Sequence, residues 1–142
     1  MTNEVTQLVE RFRIIHAERM ADLPLCNPRL EVEAVGFREF EDLQLGVLIT
    51  PWFMNLVLLS GEDAWADWPQ GSKSEWTLPA GTEEFTTGHD DEIPTYLTAV
   101  LFRTVQDFAD QDMARAVAER VMENLFVEPE PDHPSLSNEK PV

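Results

Sequence analysis

The chain is expected to be α+β: an antiparallel sheet of about five strands with an N-terminal and a C-terminal helix packed on one face. Three features of its 142 residues lead there. Apolar residues recur at helical spacing near both ends, and short apolar segments alternate with turn residues in between. The third is an uncharged run of nineteen residues, Leu43 to Gly61 (LQLGVLITPWFMNLVLLSG), in a chain with 27 acidic and 10 basic side chains. Such a run invites a membrane reading. Pro51 near its middle argues against that, since it removes a backbone donor and clashes with the preceding helical turn; Gly46, Thr50 and Asn55 weaken the reading further. Two buried strands, Leu43 to Ile49 and Asn55 to Leu59, account for the run better, with a corner at 50–54 because a ladder cannot continue through Pro51.

The elements follow in order. Residues 3 to 21 read as a helix, with Val5, Leu8, Val9, Phe12 and Ile15 on one stripe, Thr2 or Asn3 as cap, and Pro24 closing it. Leu25 to Pro28 is a connection. From Leu30 the residues alternate, Leu30, Val32 and Ala34 against Glu31 and Glu33, as a half-buried strand requires. At Val35-Gly36-Phe37 the alternation changes phase, which predicts a bulge that re-aims Phe37. Glu41-Asp42 then turns the chain into the uncharged run, making a hairpin. Glu62 to Gly71 reads as a loop anchored by Trp65 and Trp68. Glu75 to Leu78, Glu83 to Thr87 and Thr95 to Arg103 are further strand candidates, separated by turns at Pro79-Ala80-Gly81 and His89-Asp90-Asp91-Glu92. Asp110 caps a second helix whose stripe is Met113, Ala114, Val117, Ala118, Val121, Met122 and Leu125, ending near Phe126. One domain, residues 1–126, is thus followed by a tail, 127–142. The tail's prolines and acids bury too little to offset the entropy of ordering, so disorder is expected there.

Composition excludes several functions. A formal net charge of −17 is wrong for neutralising nucleic acid phosphates or anionic lipid. The acidity is uneven: residues 60–112 hold twelve acids against Lys73 and Arg103. These either keep the chain soluble or form an electrostatic docking face. Cys26 is the single cysteine, so no internal disulfide or thiolate metal set can form. The first residues lack a secretory pattern, and a cytoplasmic location is expected.

No catalytic constellation emerges. His16 falls on the polar edge of the first helix and His133 in the tail, without a nucleophile-elbow sequence to accompany them. His89-Asp90-Asp91-Glu92 has ligand-type atoms, yet adjacent turn residues need further ligands from elsewhere to enclose an ion. Single scattered glycines make no phosphate cradle, and Asp107, Asp110 and Asp112 lack the glycine and glutamate of a calcium loop. Cys26 would be reactive only if a positive neighbour such as Arg29 lowered its pKa. No cofactor or metal is expected, and interaction work fits the composition best.

At VEAVGF, GVLITPWFMNLVLL, LPAG and FADQDMARAVAERVMENLF the chain resembles the HybE family, also called HupJ or HoxT, of nickel-iron hydrogenase assembly chaperones. The similarity spans about residues 5 to 126, and its most distinctive block runs from Ile49-Thr50-Pro51-Trp52 to Leu59. Some relatives carry a rubredoxin module; a chain with one cysteine cannot supply that module's four thiolates, so the chaperone domain alone is expected. The resemblance implies a non-catalytic accessory protein that binds hydrogenase small- and/or large-subunit precursors before export, the small subunit carrying a twin-arginine signal. Such a signal pairs basic residues with an apolar segment. It would suit an apolar patch at Trp52, Phe53 and Met54 beside an acidic rim of Glu83, Glu84, Asp90, Asp91 and Glu92. The alternatives are a small metal-dependent enzyme using His89 and nearby carboxylates, and a stable structural subunit of a larger complex.

Overall fold

Every strand candidate in the sequence finds a partner, so the sheet has six strands where about five were expected. The computed structural model describes residues 3–60 and 64–127. Helix α1 (Asn3–Ile15) opens the chain and passes directly into a π-helical turn (His16–Met20). Strands β1 (Glu33–Phe40), β2 (Leu43–Thr50), β3 (Phe53–Leu59), β4 (Lys73–Leu78), β5 (Gly81–Asp90) and β6 (Ile93–Phe102) follow, then helix α2 (Gln111–Leu125). The order across the sheet is β1-β2-β3-β6-β5-β4, and each neighbouring pair is antiparallel. Two three-stranded meanders therefore meet at the β3–β6 pairing.

The helices do not share a face. Alternation along β2 and β3 sends Leu45, Val47, Ile49, Met54, Leu56 and Leu58 into one cluster with Ala114, Ala118 and Met122 of α2. Leu48, Val57 and Leu59 point the other way, into a cluster with Val5, Leu8, Val9 and Phe12 of α1. The uncharged run explains this outcome: both strands are apolar at nearly every position, so both sides of the sheet centre must be covered. A single face could not bury them.

Local chemistry sets the joints. The register of β1 against β2 shifts between Val35 and Arg38, with Gly36 at φ +69°, so the expected bulge is present. The turn between β1 and β2 places both Glu41 (φ 48°) and Asp42 (φ 68°) in the left-handed region, the geometry that matches strand twist in two-residue hairpins. Asp110 caps α2 by accepting a hydrogen bond from the Met113 amide at 2.8 Å. Trp65 is buried against Trp68 and Trp76, so the loop after β3 does fold back on the core. Residues 128–142, where disorder is expected, lie outside the described residues.

Asn27, in the connection after α1, ties three segments together. Its amide donates to the Pro51 carbonyl at 2.7 Å. Its side-chain nitrogen donates to the carbonyls of Val105 (3.0 Å) and Phe108 (2.9 Å), and its oxygen accepts from the Arg29 amide at 3.0 Å. Every polar group of this buried residue that faces the interior is thereby matched.

Candidate binding surface

The corner is shorter than the expected 50–54: Thr50 at the end of β2 pairs with Phe53 at the start of β3, leaving Pro51 and Trp52 as the turn, which is built around Thr50. Its hydroxyl oxygen accepts from the amides of Trp52 (3.2 Å) and Phe53 (3.0 Å), giving the turn a local hydrogen-bonding centre. Pro51 is buried, and its carbonyl is held by Asn27. Trp52 and Phe53 are half-buried on the α1 side. Trp52 stacks on His16 with centroids 5.8 Å apart and planes 16° apart, while Phe12 meets Trp52 at 6.4 Å and Phe53 at 5.9 Å. His16 is therefore packed against an aromatic ring, beyond the solvated position its helical edge suggested.

Met54 departs from the expected patch. It is 0 % exposed and belongs to the α2 cluster on the far side of the sheet. Consecutive strand residues point to opposite faces, so Phe53 and Met54 cannot serve one handhold. Only Trp52 and Phe53 keep a solvent-facing edge.

The same rule divides the acidic rim. Glu84 lies opposite Glu75 on β4 and is exposed, whereas Glu83 lies opposite Trp76, on the α2 side, and is half-buried. Asp90 is engaged by α1: Arg11 donates to its carboxylate at 2.7 Å, and the Glu92 amide donates to the same oxygen at 2.9 Å. Burial alone would push the Asp90 pKa up; the Glu92 amide, the Arg11 hydrogen bond and the Arg11 charge outweigh it and hold the group below the usual carboxylate range. Asp91 and Glu92 are exposed in the β5–β6 turn. Burial, followed by the Asp90 charge, raises the nearby Tyr96 hydroxyl.

His89 is a strut. Its Nε2 lies 2.5 Å from the Trp68 carbonyl and its Nδ1 3.2 Å from the Thr95 hydroxyl. A carbonyl can only accept, which places a proton on Nε2. Both ring nitrogens are thus occupied, Nε2 fastening the 64–72 loop and Nδ1 bracing the ring against β6. Among the described residues no group of three or more His, Cys, Asp or Glu side chains is placed to hold a metal ion. Cys26 is buried, its Sγ is 3.0 Å from the Met20 carbonyl, and burial raises its pKa, the opposite of an activated thiolate. His133 lies outside the described residues.

Three participants escaped the sequence reading. Neither Asn27 nor Arg11 gave a periodic signal. Asn55 counted against a membrane span and opened a buried strand, with no polar role assigned; it is 8 % exposed, donates to the Thr98 hydroxyl at 3.0 Å, and has a buried Oδ1 without a hydrogen-bond partner. No helix of the described residues is long and apolar enough to cross a membrane.

The α1 side of the sheet thus carries the half-exposed rings of Trp52 and Phe53 and the exposed carboxylate of Glu84. The model of the [NiFe]-hydrogenase assembly chaperone HybE family matches residues 3–141, past residue 126 where the motif-based resemblance stops. The chain is 42% identical over 125 residues to a probable rubredoxin HupJ of Rhodobacter capsulatus, covering 87% of this chain and 45% of that protein, so it spans less than half of that relative. It is 41% identical over 131 residues to the hydrogenase expression/formation protein HupT of Azotobacter chroococcum, covering 91% of this chain and 87% of that one. The solution structure of HybE from Escherichia coli superposes with a TM-score of 0.71 at 26% identity, covering 98% of this chain and 88% of that one.

The fold and these matches define the class: an accessory assembly factor rather than an enzyme. The chain belongs to the HybE family of [NiFe]-hydrogenase assembly chaperones.

Proposed function

We propose that this chain works in the cytoplasm as an escort for [NiFe]-hydrogenase subunit precursors, holding the small subunit by its twin-arginine export signal until assembly permits export. Membership of an assembly-chaperone family is the observation that carries the reading. Its chemistry supports it. An export signal of this kind joins basic residues to an apolar segment, and the α1 side of the sheet offers half-exposed Trp52 and Phe53 together with the exposed carboxylate of Glu84, with Asp91 and Glu92 exposed in the β5–β6 turn. Glu83, turned to the other face, and Asp90, paired with Arg11, contribute to the field rather than to direct contact. The aromatic edges supply anchoring area, and the acids steer encounter.

Affinity capture from hydrogenase-expressing cells tests this. The tagged chain is expected to retain small-subunit precursor and to lose it when the export signal is deleted. Equal recovery with and without the signal rejects signal recognition, and recovery of only mature, fully assembled hydrogenase rejects the escort role.

A further inference from the structure

Helix α1 covers only half of its face of the sheet. Its apolar cluster takes in β1, β2, β3 and the start of β6, through Ala34, Phe37, Leu48, Val57, Leu59, Ile93 and Tyr96, and holds no residue of β4 or β5, whose one link to α1 named above is the Arg11–Asp90 pair at the end of β5. On that uncovered half, Lys73, Glu75, Thr77, Glu84 and Val100 are exposed, with Val100 at 53%. The strand registers bring some of these into one row. Leu48 pairs with Asn55, Asn55 with Val100, and Glu84 with Glu75. Thr86 pairs with Thr98, so the β5–β6 register, continued two residues, sets Glu84 opposite Val100.

The row has unmet requirements at each step. Asn55 holds a buried carbonyl oxygen without a partner, which costs stability. Val100 exposes an apolar side chain on an otherwise polar floor. Glu84 and Glu75 face one another as like charges, a destabilising cross-strand pair. Lys73 is 3.8 Å from Glu84 with both side chains more than half exposed, a weak contact. A natural sheet face that keeps a buried orphan acceptor, a bare valine and two opposed carboxylates in one line is poorly arranged for stability alone.

We propose that this row, Asn55–Val100–Glu84–Glu75, is the docking track for a client segment that joins basic residues to an apolar stretch. The basic side chains lie between Glu75 and Glu84, the apolar stretch crosses Val100 beside Phe53, and a client N–H reaches the Asn55 oxygen once the neighbouring side chains shift. The inference rests on the escort reading and gives it a location. It extends recognition from the half-exposed Trp52 and Phe53 onto the open half of the sheet.

The test uses the full chain and two fluorescent synthetic peptides, one with paired arginines before an apolar stretch and one with those arginines replaced by glutamates. Wild type is expected to bind the first with salt-sensitive affinity and to ignore the second. Glu84→Lys and Val100→Asp are each expected to weaken binding by about tenfold or more, as charge reversal and burial of a charge at an interface do, while Glu39→Lys on β1 leaves it unchanged. Asn55→Leu discriminates further. Losing an unsatisfied buried oxygen should preserve or raise the melting temperature, yet peptide affinity should fall. Folded Glu84→Lys, Val100→Asp and Asn55→Leu proteins that bind like wild type overturn the track, as does a wild type indifferent to the arginine peptide. If those variants still capture hydrogenase precursor from cells, the escort reading stands and only its location fails.

Discussion

The ring of Phe37 occupies the space that a side chain on Gly46 would need: a Cβ built there lies 2.3 Å from the Phe37 Cδ1 and Cγ atoms. The relationship begins in the sequence. The extra residue at Gly36 bends β1, and Phe37 is turned onto the neighbouring strand instead of following the simple alternation. Gly46→Ala is expected to lower stability by about 1–3 kcal/mol, the usual penalty of overpacking. In a double-mutant cycle with Phe37→Ala the combined loss should be smaller than the sum, because the second change vacates the space the first requires. Strictly additive losses in chemical denaturation would show that the two sites are independent.

Two carboxylates make stability depend on acidity. Asp90 is joined to Arg11 at 2.7 Å, and Glu33 on β1 is joined to Arg115 on α2 at 2.7 Å. For Glu33, burial raises the pKa, but the hydrogen bonds from Arg115 and Gln111 and the Arg115 charge lower it further, to a net value below the ordinary 4.5. Asp90 likewise lies below its ordinary 3.8. A depressed native pKa means that the unfolded chain binds more protons, so stability rises with pH through this window. The contribution is fully present above the ordinary values and is lost as pH falls through the native ones. Melting temperatures from pH 7 to pH 3 should therefore fall less steeply for the double variant Asp90→Asn/Glu33→Gln than for wild type, although that variant starts lower. Parallel curves would remove these two groups as the cause.

Asn27 is expected to matter more than its place in a connecting loop suggests. Asn27→Ala leaves the carbonyls of Val105 and Phe108 without their donor in a buried setting, at a cost of about 2–4 kcal/mol. Asn27→Asp should be worse, since it sets a carboxylate against those two carbonyl oxygens. Denaturant midpoints of the two variants check the order. Asp tolerated better than Ala would contradict the donor role.

The signals that succeeded in the sequence were local. Helical spacing found α1 and α2, the phase change at Gly36 found the bulge, and Asp110 was recognisable as a cap. What depended on three dimensions was missed. The placing of both helices on one face overlooked that β2 and β3 lack a polar side, although the uncharged run already carried that information. Grouping Trp52, Phe53 and Met54, or Glu83 with Glu84, treated neighbours in sequence as neighbours in space, where strand alternation separates them. The Asn55–Val100–Glu84–Glu75 row draws on four positions scattered between residues 55 and 100 and appears only when the registers are known. The grip of α1 on the β5–β6 turn through Arg11 likewise has no periodic trace.

Trp52 has both a packing role and a solvent-facing edge, and the two can be separated. Its ring is stacked on His16 and touches Phe12 and Phe53, so Trp52→Ala removes contacts between α1 and the corner. A loss of about 1–3 kcal/mol is expected for a half-buried aromatic residue. Met54→Leu conserves volume in a fully buried position on the opposite face and should cost less than about 1.5 kcal/mol. Client capture, normalised to the folded fraction measured by near-UV circular dichroism, should drop for Trp52→Ala and stay level for Met54→Leu. Equal capture by both folded variants would reduce Trp52 to a packing residue and leave the open half of the sheet to account for recognition by itself.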